Sequence, residues 1–155
     1  MADCLRFCST SFAVTDILAD SEAQSATMTT DAADGFAISV SVRNTGAVRG
    51  AKTVMAFISQ SGGDSDGPRD SLWSLRKVSL APQESQLLEF RAAEVDWCPF
   101  CTVSVDGVRA VRAGEYTVRI GGDGGNGGAC GGVASSDECA VRRVVLSGPE
   151  IPRPL

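Results

Sequence analysis

Apolar side chains recur at every second position in several separate stretches of the chain. Phe36, Ile38, Val40 and Val42 share one face of an extended segment, with Ala37, Ser39, Ser41 and Arg43 on the other, because side chains alternate with period two along a strand. The same period returns in Val54, Ala56 and Ile58, in Leu88, Phe90 and Ala92, and in Tyr116, Val118 and Ile120. FAVTDI from Phe12, LRKVSL over 75–80 and AVRRVVLSG over 140–148 read as further strands. One segment breaks the usual rule. Met55 and Phe57 lie opposite the Val54 row, on a face that a sandwich normally leaves polar. They are therefore expected to be covered, either by another domain, for which they form a docking patch, or by residues 20–35 folded back over them.

Turn signals punctuate these strands. Asn44-Thr45-Gly46 separates the two best-patterned segments, and Gly46 is expected to supply a positive φ there. Asp106-Gly107 reads as the two-residue turn of a small hairpin. Residues 20–35 are small and polar and read as a loop, with no apolar stripe to hold a helix. Residues 121–138 form a glycine-rich insert. The tail, 148–155, carries prolines that should block further pairing. About seven short strands without a helix predict an all-β fold, an antiparallel sandwich of the immunoglobulin or fibronectin type III-like kind. It would span 12–147 behind an irregular lead-in, 1–11.

Composition narrows the chemistry. The chain has 155 residues, enough for one domain with tails, and its net charge of −5 argues against nucleic acid as a partner. No segment approaches the ~20 apolar residues of a membrane span. The first residues lack the basic and long apolar regions of a signal peptide, so the chain is either cytosolic or begins where a leader or a longer protein has been left off. There is no histidine, which removes the commonest general base and metal ligand.

Six cysteines fall in three local pairs, Cys4 with Cys8, Cys98 with Cys101, and Cys130 with Cys139. An even count in a short chain favours disulfides and a secreted or lumenal setting. Cys98-Pro99-Phe100-Cys101 also has redox or zinc spacing. A redox site wants a helix N-terminus, and zinc wants four ligands that Cys4 and Cys8 would complete only at an unusual gap. Disulfides are the expectation, one of them closing the short Cys130–Cys139 loop. No metal or cofactor is expected, since the glycine-rich insert lacks the lysine and helix of a phosphate loop. Tyr116 is expected to act structurally, as a tyrosine corner. Trp73 and Trp97 are expected beside loops, where they would stack on sugars, plug the sandwich ends or meet a neighbouring domain.

Three blocks together resemble a known family. SVRNTGAVRGAKTVMAFIS, SLWSLRKVSLAPQESQLLEF and RAGEYTVRIGG are similar, in order and spacing, to the fibronectin type III-like C-terminal domain of glycoside hydrolase family 3 enzymes, the β-glucosidases and β-xylosidases. The resemblance runs over about residues 10–147. Ser74 and Leu75 stand where that family has Gly-Phe, Gln83 replaces its turn glycine and Ala113 its proline. The cysteine pairs and the insert lie outside the family pattern. The resemblance implies a non-catalytic module that docks on catalytic domains. The family's nucleophile sits in a barrel of ~250 residues, which this chain cannot contain. Asp64, Asp66, Asp70, Glu94 and Asp96 are candidate carboxylates by type only. Two rivals remain open: a free-standing adhesion or carbohydrate-binding module, and a small cysteine-rich metal or redox protein.

Overall fold

The structure, a computed structural model, describes residues 12–16, 25–61, 70–94, 98–121 and 139–154. In chain order its strands are β1 (Phe12–Asp16), β2 (Ser25–Thr29), β3 (Ala37–Asn44), β4 (Gly50–Ser61), β5 (Ser71–Leu80) and β6 (Ser85–Arg91). They continue as β7 (Cys101–Val103), β8 (Arg109–Val111), β9 (Gly114–Gly121), β10 (Cys139–Ser147) and β11 (Ile151–Pro152). One sheet has the order β1-β3-β6, a second β2-β10-β9-β4-β5, and a small third β11-β8-β7. The alternating rows read from the sequence form the core between the first two sheets. Val14, Ile38, Val40, Val42 and Phe90 of one meet Val54, Ala56, Ile58, Val118 and Ile120 of the other in a single buried cluster. The fold is an all-β sandwich, as the alternation predicts.

Several local expectations change. The stretch read as a loop over 20–35 contains β2 and a 3-10 helix, Thr30–Gly35. β2 pairs with β10 in parallel, from Arg143 opposite Ser25 to Ser147 opposite Thr29. Its apolar signal is only Ala26 and Met28, both packed against the core, too little to stand out in sequence. The 3-10 segment is anchored by the buried Thr30, whose hydroxyl donates to the Pro149 carbonyl at 2.7 Å. Residues 25–35 therefore lie at the edge of the large sheet farthest from β5, not over Met55 and Phe57.

β5 starts at Ser71 rather than 75, because it carries a bulge. The register with β4 runs Val54 opposite Arg76, Met55 opposite Leu75 and Ala56 opposite Ser74, then jumps to Phe57 opposite Leu72. Trp73 is the extra residue, and a bulge re-aims side chains. Trp73 is consequently 2% exposed, in the core rather than beside a loop. It joins a row of aromatic contacts: Phe90 to Trp73 at 6.2 Å, Trp73 to Phe36 at 5.7 Å, Phe36 to Phe100 at 5.4 Å and Phe100 to Tyr116 at 5.3 Å.

The hairpin formed by β7 and β8 turns through Ser104–Val108, not two residues, with Ser104 N–H donating to the Val108 carbonyl at 2.9 Å and Gly107 at φ 79°. The tail adds a strand instead of ending pairing: Ile151 lies opposite Val111 and Pro152 opposite Ala110. β11 is at the sheet's edge, where a proline leaves no ladder hydrogen bond unmade.

Gly46 does not adopt a positive φ; among the described residues that conformation falls to Gly107, Gly114, Gly121, Gly148 and one non-glycine residue, Gln83 at 63°. The turn after β3 is instead organised by Asn44, which is fully buried. Its Nδ2 donates to the carbonyls of Val48 at 2.8 Å and Leu80 at 3.0 Å, and its Oδ1 accepts the Gly46 N–H at 2.9 Å. Asn44 thus ties the β3–β4 turn to the end of β5. Gln83 turns the chain between β5 and β6, and its N–H donates to the Asn44 carbonyl at 2.9 Å.

Candidate docking face and cysteine turn

Residues opposite one another in an antiparallel pair share a face. The β4–β5 register therefore places Met55 beside Leu75 and Phe57 beside Leu72, all on the outer face of the five-stranded sheet. Leu72 is 44% and Leu75 51% exposed, while Met55 and Phe57 are half-buried. Phe57 and Val141 pack against the buried Cys139 in a small cluster separate from the main core. Alternation along the sequence points to Met55 and Phe57 on this face but not to the two leucines. The bulge moves Leu72 outward, and strict alternation cannot foresee it.

Beyond Phe57 the same face turns polar. Arg119, opposite Phe57 on β9, donates through one guanidinium nitrogen to Asp70 Oδ1 at 2.7 Å and Ser59 Oγ at 3.0 Å. Farther on, Arg143 pairs with Glu115 at 2.7 Å. The outer surface of this sheet thus carries an apolar patch on β4–β5, bordered toward β9 and β10 by paired charges.

Cys98 and Cys101 are joined by a disulfide, their Cα atoms 5.2 Å apart. The intervening Pro99 and Phe100 are buried, and Cys101 N–H donates to the Cys98 carbonyl at 3.1 Å, closing a tight turn. Cys139 is also disulfide-bonded. Since Cys98 and Cys101 bond each other, its partner lies outside the described residues, as do Cys4, Cys8 and Cys130. Tyr116 is 2% exposed and its hydroxyl donates to the Arg112 carbonyl at 2.8 Å. Burial holds its phenol above the usual range. A hydrogen bond from the Thr29 side chain holds the exposed Asp31 carboxyl below its usual range.

Of the candidate carboxylates, Asp64, Asp66 and Asp96 lie outside the described residues, as does Trp97. Asp70 is committed to Arg119, and Glu94 ends a short 3-10 turn, Ala92–Glu94, that follows β6. Among the described residues no group of three or more His, Cys, Asp or Glu is placed to hold a metal, and no helix is long and apolar enough to cross a membrane.

No protein-family model matches the chain, and no curated protein matches it by sequence. Solved structures do match. A β-glucosidase from Erythrobacter marinus superposes over 89% of this chain with a TM-score of 0.64 and 27% identity. The GH3 β-glucosidase of Bifidobacterium adolescentis matches over 88% with a TM-score of 0.59 and 25% identity. The chain shares its fold with one domain of glycoside hydrolase family 3 β-glucosidases. A β-glucosidase from Kluyveromyces marxianus, solved with glucose, shows the same fold over 93% of the chain at 24% identity, with a TM-score of 0.63. The chain spans only 16%, 17% and 15% of these three enzymes, respectively.

Proposed function

We propose that the chain is a non-catalytic, fibronectin type III-like module of a family 3-type glycoside hydrolase, a β-glucosidase or β-xylosidase. It docks on the catalytic domains and stabilises them. The observation that carries this reading is one of proportion: the likeness takes in 89% of this chain but 16% of the Erythrobacter enzyme. The chemistry of a retaining glycosidase needs two carboxylates ~5 Å apart across a sugar site, and in this reading other domains supply them. The docking surface is the outer face of the five-stranded sheet, where Met55, Phe57, Leu72 and Leu75 replace the polar residues usual on a sandwich exterior. The Cys98–Cys101 bridge fits an oxidising, extracellular or lumenal setting.

The test has two arms. The purified chain is expected to leave aryl β-glucosides and β-xylosides unhydrolysed; turnover abolished by changing Asp70 would overturn the reading. In the second arm, this chain replaces the matching segment of the Erythrobacter enzyme. The chimera should recover soluble, active enzyme relative to the deletion, and Leu72→Glu with Leu75→Glu should reduce that recovery. A chimera no better than the deletion would count against docking.

A further inference from the structure

We propose that the Cys98–Cys101 disulfide is a reducible clasp, which a dithiol reductant opens to free the small sheet of β7, β8 and β11 while the two main sheets stay folded. The small sheet shares no strand with the other two. Its strands are three, three and two residues long, and its tip exposes Val103, Val105 and Val108 to solvent. What fastens it to the sandwich is short. Ala110 and Val111 of β8 are fully buried, Val111 within the core, and Ile151 packs against it; beyond these, Arg153 pairs with Asp34 at 2.6 Å and Arg112 with Glu150 at 2.9 Å in bridges that are largely exposed, a kind of contact that contributes little. The main fastening is the turn at its base, where Phe100 is pressed edge-on against Phe36 and Tyr116. The disulfide closes that turn. Cooperative units with few buried contacts open first, and among the strand residues of the small sheet only Ala110 and Val111, both on β8, are buried.

The two cysteines are only half-buried, so a thiolate can reach a sulfur. Cys101 opens a strand, so the pair lacks the helix N-terminus that activates the nucleophilic cysteine of an oxidoreductase. The disulfide is the substrate of exchange, not its catalyst. A reductant thiolate attacks one cysteine sulfur, forms a mixed disulfide and releases the other cysteine as thiolate. The second reductant thiol then displaces the first cysteine, leaving two cysteine thiols and an oxidised reductant. Two electrons and two protons pass to the protein.

The test is hydrogen exchange followed by mass spectrometry on the oxidised chain and on the Cys98→Ser, Cys101→Ser double variant. The variant removes this bridge and leaves that of Cys139. Amides of 101–111 and 151–153 should exchange roughly tenfold faster or more in the variant, with 37–44 and 114–121 unchanged. Unchanged exchange at 101–111 would overturn the proposal, and so would loss of protection throughout. In the native chain, dithiothreitol with an alkylating reagent should label Cys98 and Cys101 while 37–44 and 114–121 stay protected. Labelling only after those segments lose protection would also overturn it.

Discussion

Replacing Asn44 by alanine removes three hydrogen bonds at one stroke. Two of the released acceptors, the Val48 and Leu80 carbonyls, sit 2.8 and 3.0 Å from the amide nitrogen, and the released donor is the Gly46 N–H at 2.9 Å. The Leu80 bond is buried, whereas the other two groups are part-exposed, so water replaces their partners at lower cost. A buried group left unsatisfied costs about 1–3 kcal/mol, and an ordinary hydrogen bond contributes about 1 kcal/mol net. The sum is roughly 3 kcal/mol, a fifth or more of the ~5–15 kcal/mol typical of a folded domain. The melting temperature should fall by about 6–12 °C. Asn44→Asp sharpens the test. It keeps an acceptor for Gly46 but sets a buried carboxylate against two carbonyl oxygens, so it should be at least as damaging as the alanine. Urea titration with an unchanged m-value, alongside calorimetry, measures both variants. If Asn44→Asp lay within ~0.5 kcal/mol of the native chain, the clamp on Val48 and Leu80 would not be holding the turns together.

Val54 is fully buried and Leu75 half-exposed, so Val54→Asp should unfold the isolated chain by burying an unpaired charge, while Leu75→Ser should shift stability by less than ~1 kcal/mol. Phe57→Ser should fall between them, at about 1–2 kcal/mol, since Phe57 packs on Cys139 and Val141; equal damage from all three would mean that this face belongs to the core. Gln83→Gly should stabilise the chain by ~0.5–1 kcal/mol by relieving a left-handed non-glycine residue, and a less stable variant would refute the strain. Burial raises the Tyr116 phenol above 10.0, so its contribution is complete below about pH 10 and is lost as pH rises through the folded value. Tyr116→Phe should cost ~1 kcal/mol at neutral pH and weaken that alkaline loss, which denaturation at pH 7 and pH 11 measures. Non-reduced peptide mapping should join Cys139 to Cys130; a link to Cys4 or Cys8 would refute that pairing.

Where burial alternates regularly, the sequence was enough. The rows from Phe36 to Val42, from Val54 to Ile58 and from Tyr116 to Ile120 each bury one face, and period two makes that face visible without knowledge of what it packs against. The three blocks of family likeness were legible for a related reason, since they sit on those strands and their turns. Other features were decided only when distant segments met. β2 is a strand because the free edge of β10 accepts Ser25–Thr29 in parallel, a pairing with almost no local signature. Trp73 turns into the core and Leu72 outward because one extra residue in β5 is accommodated opposite β4. Pro152 pairs because β8 leaves an edge open. Asn44, rather than Gly46, holds the turn because its amide finds the carbonyl of Leu80, 36 positions away. Periodicity is a property of one strand and can be read along it, whereas edges, bulges and long-range hydrogen bonds belong to pairs of segments and exist only once the sheets have assembled.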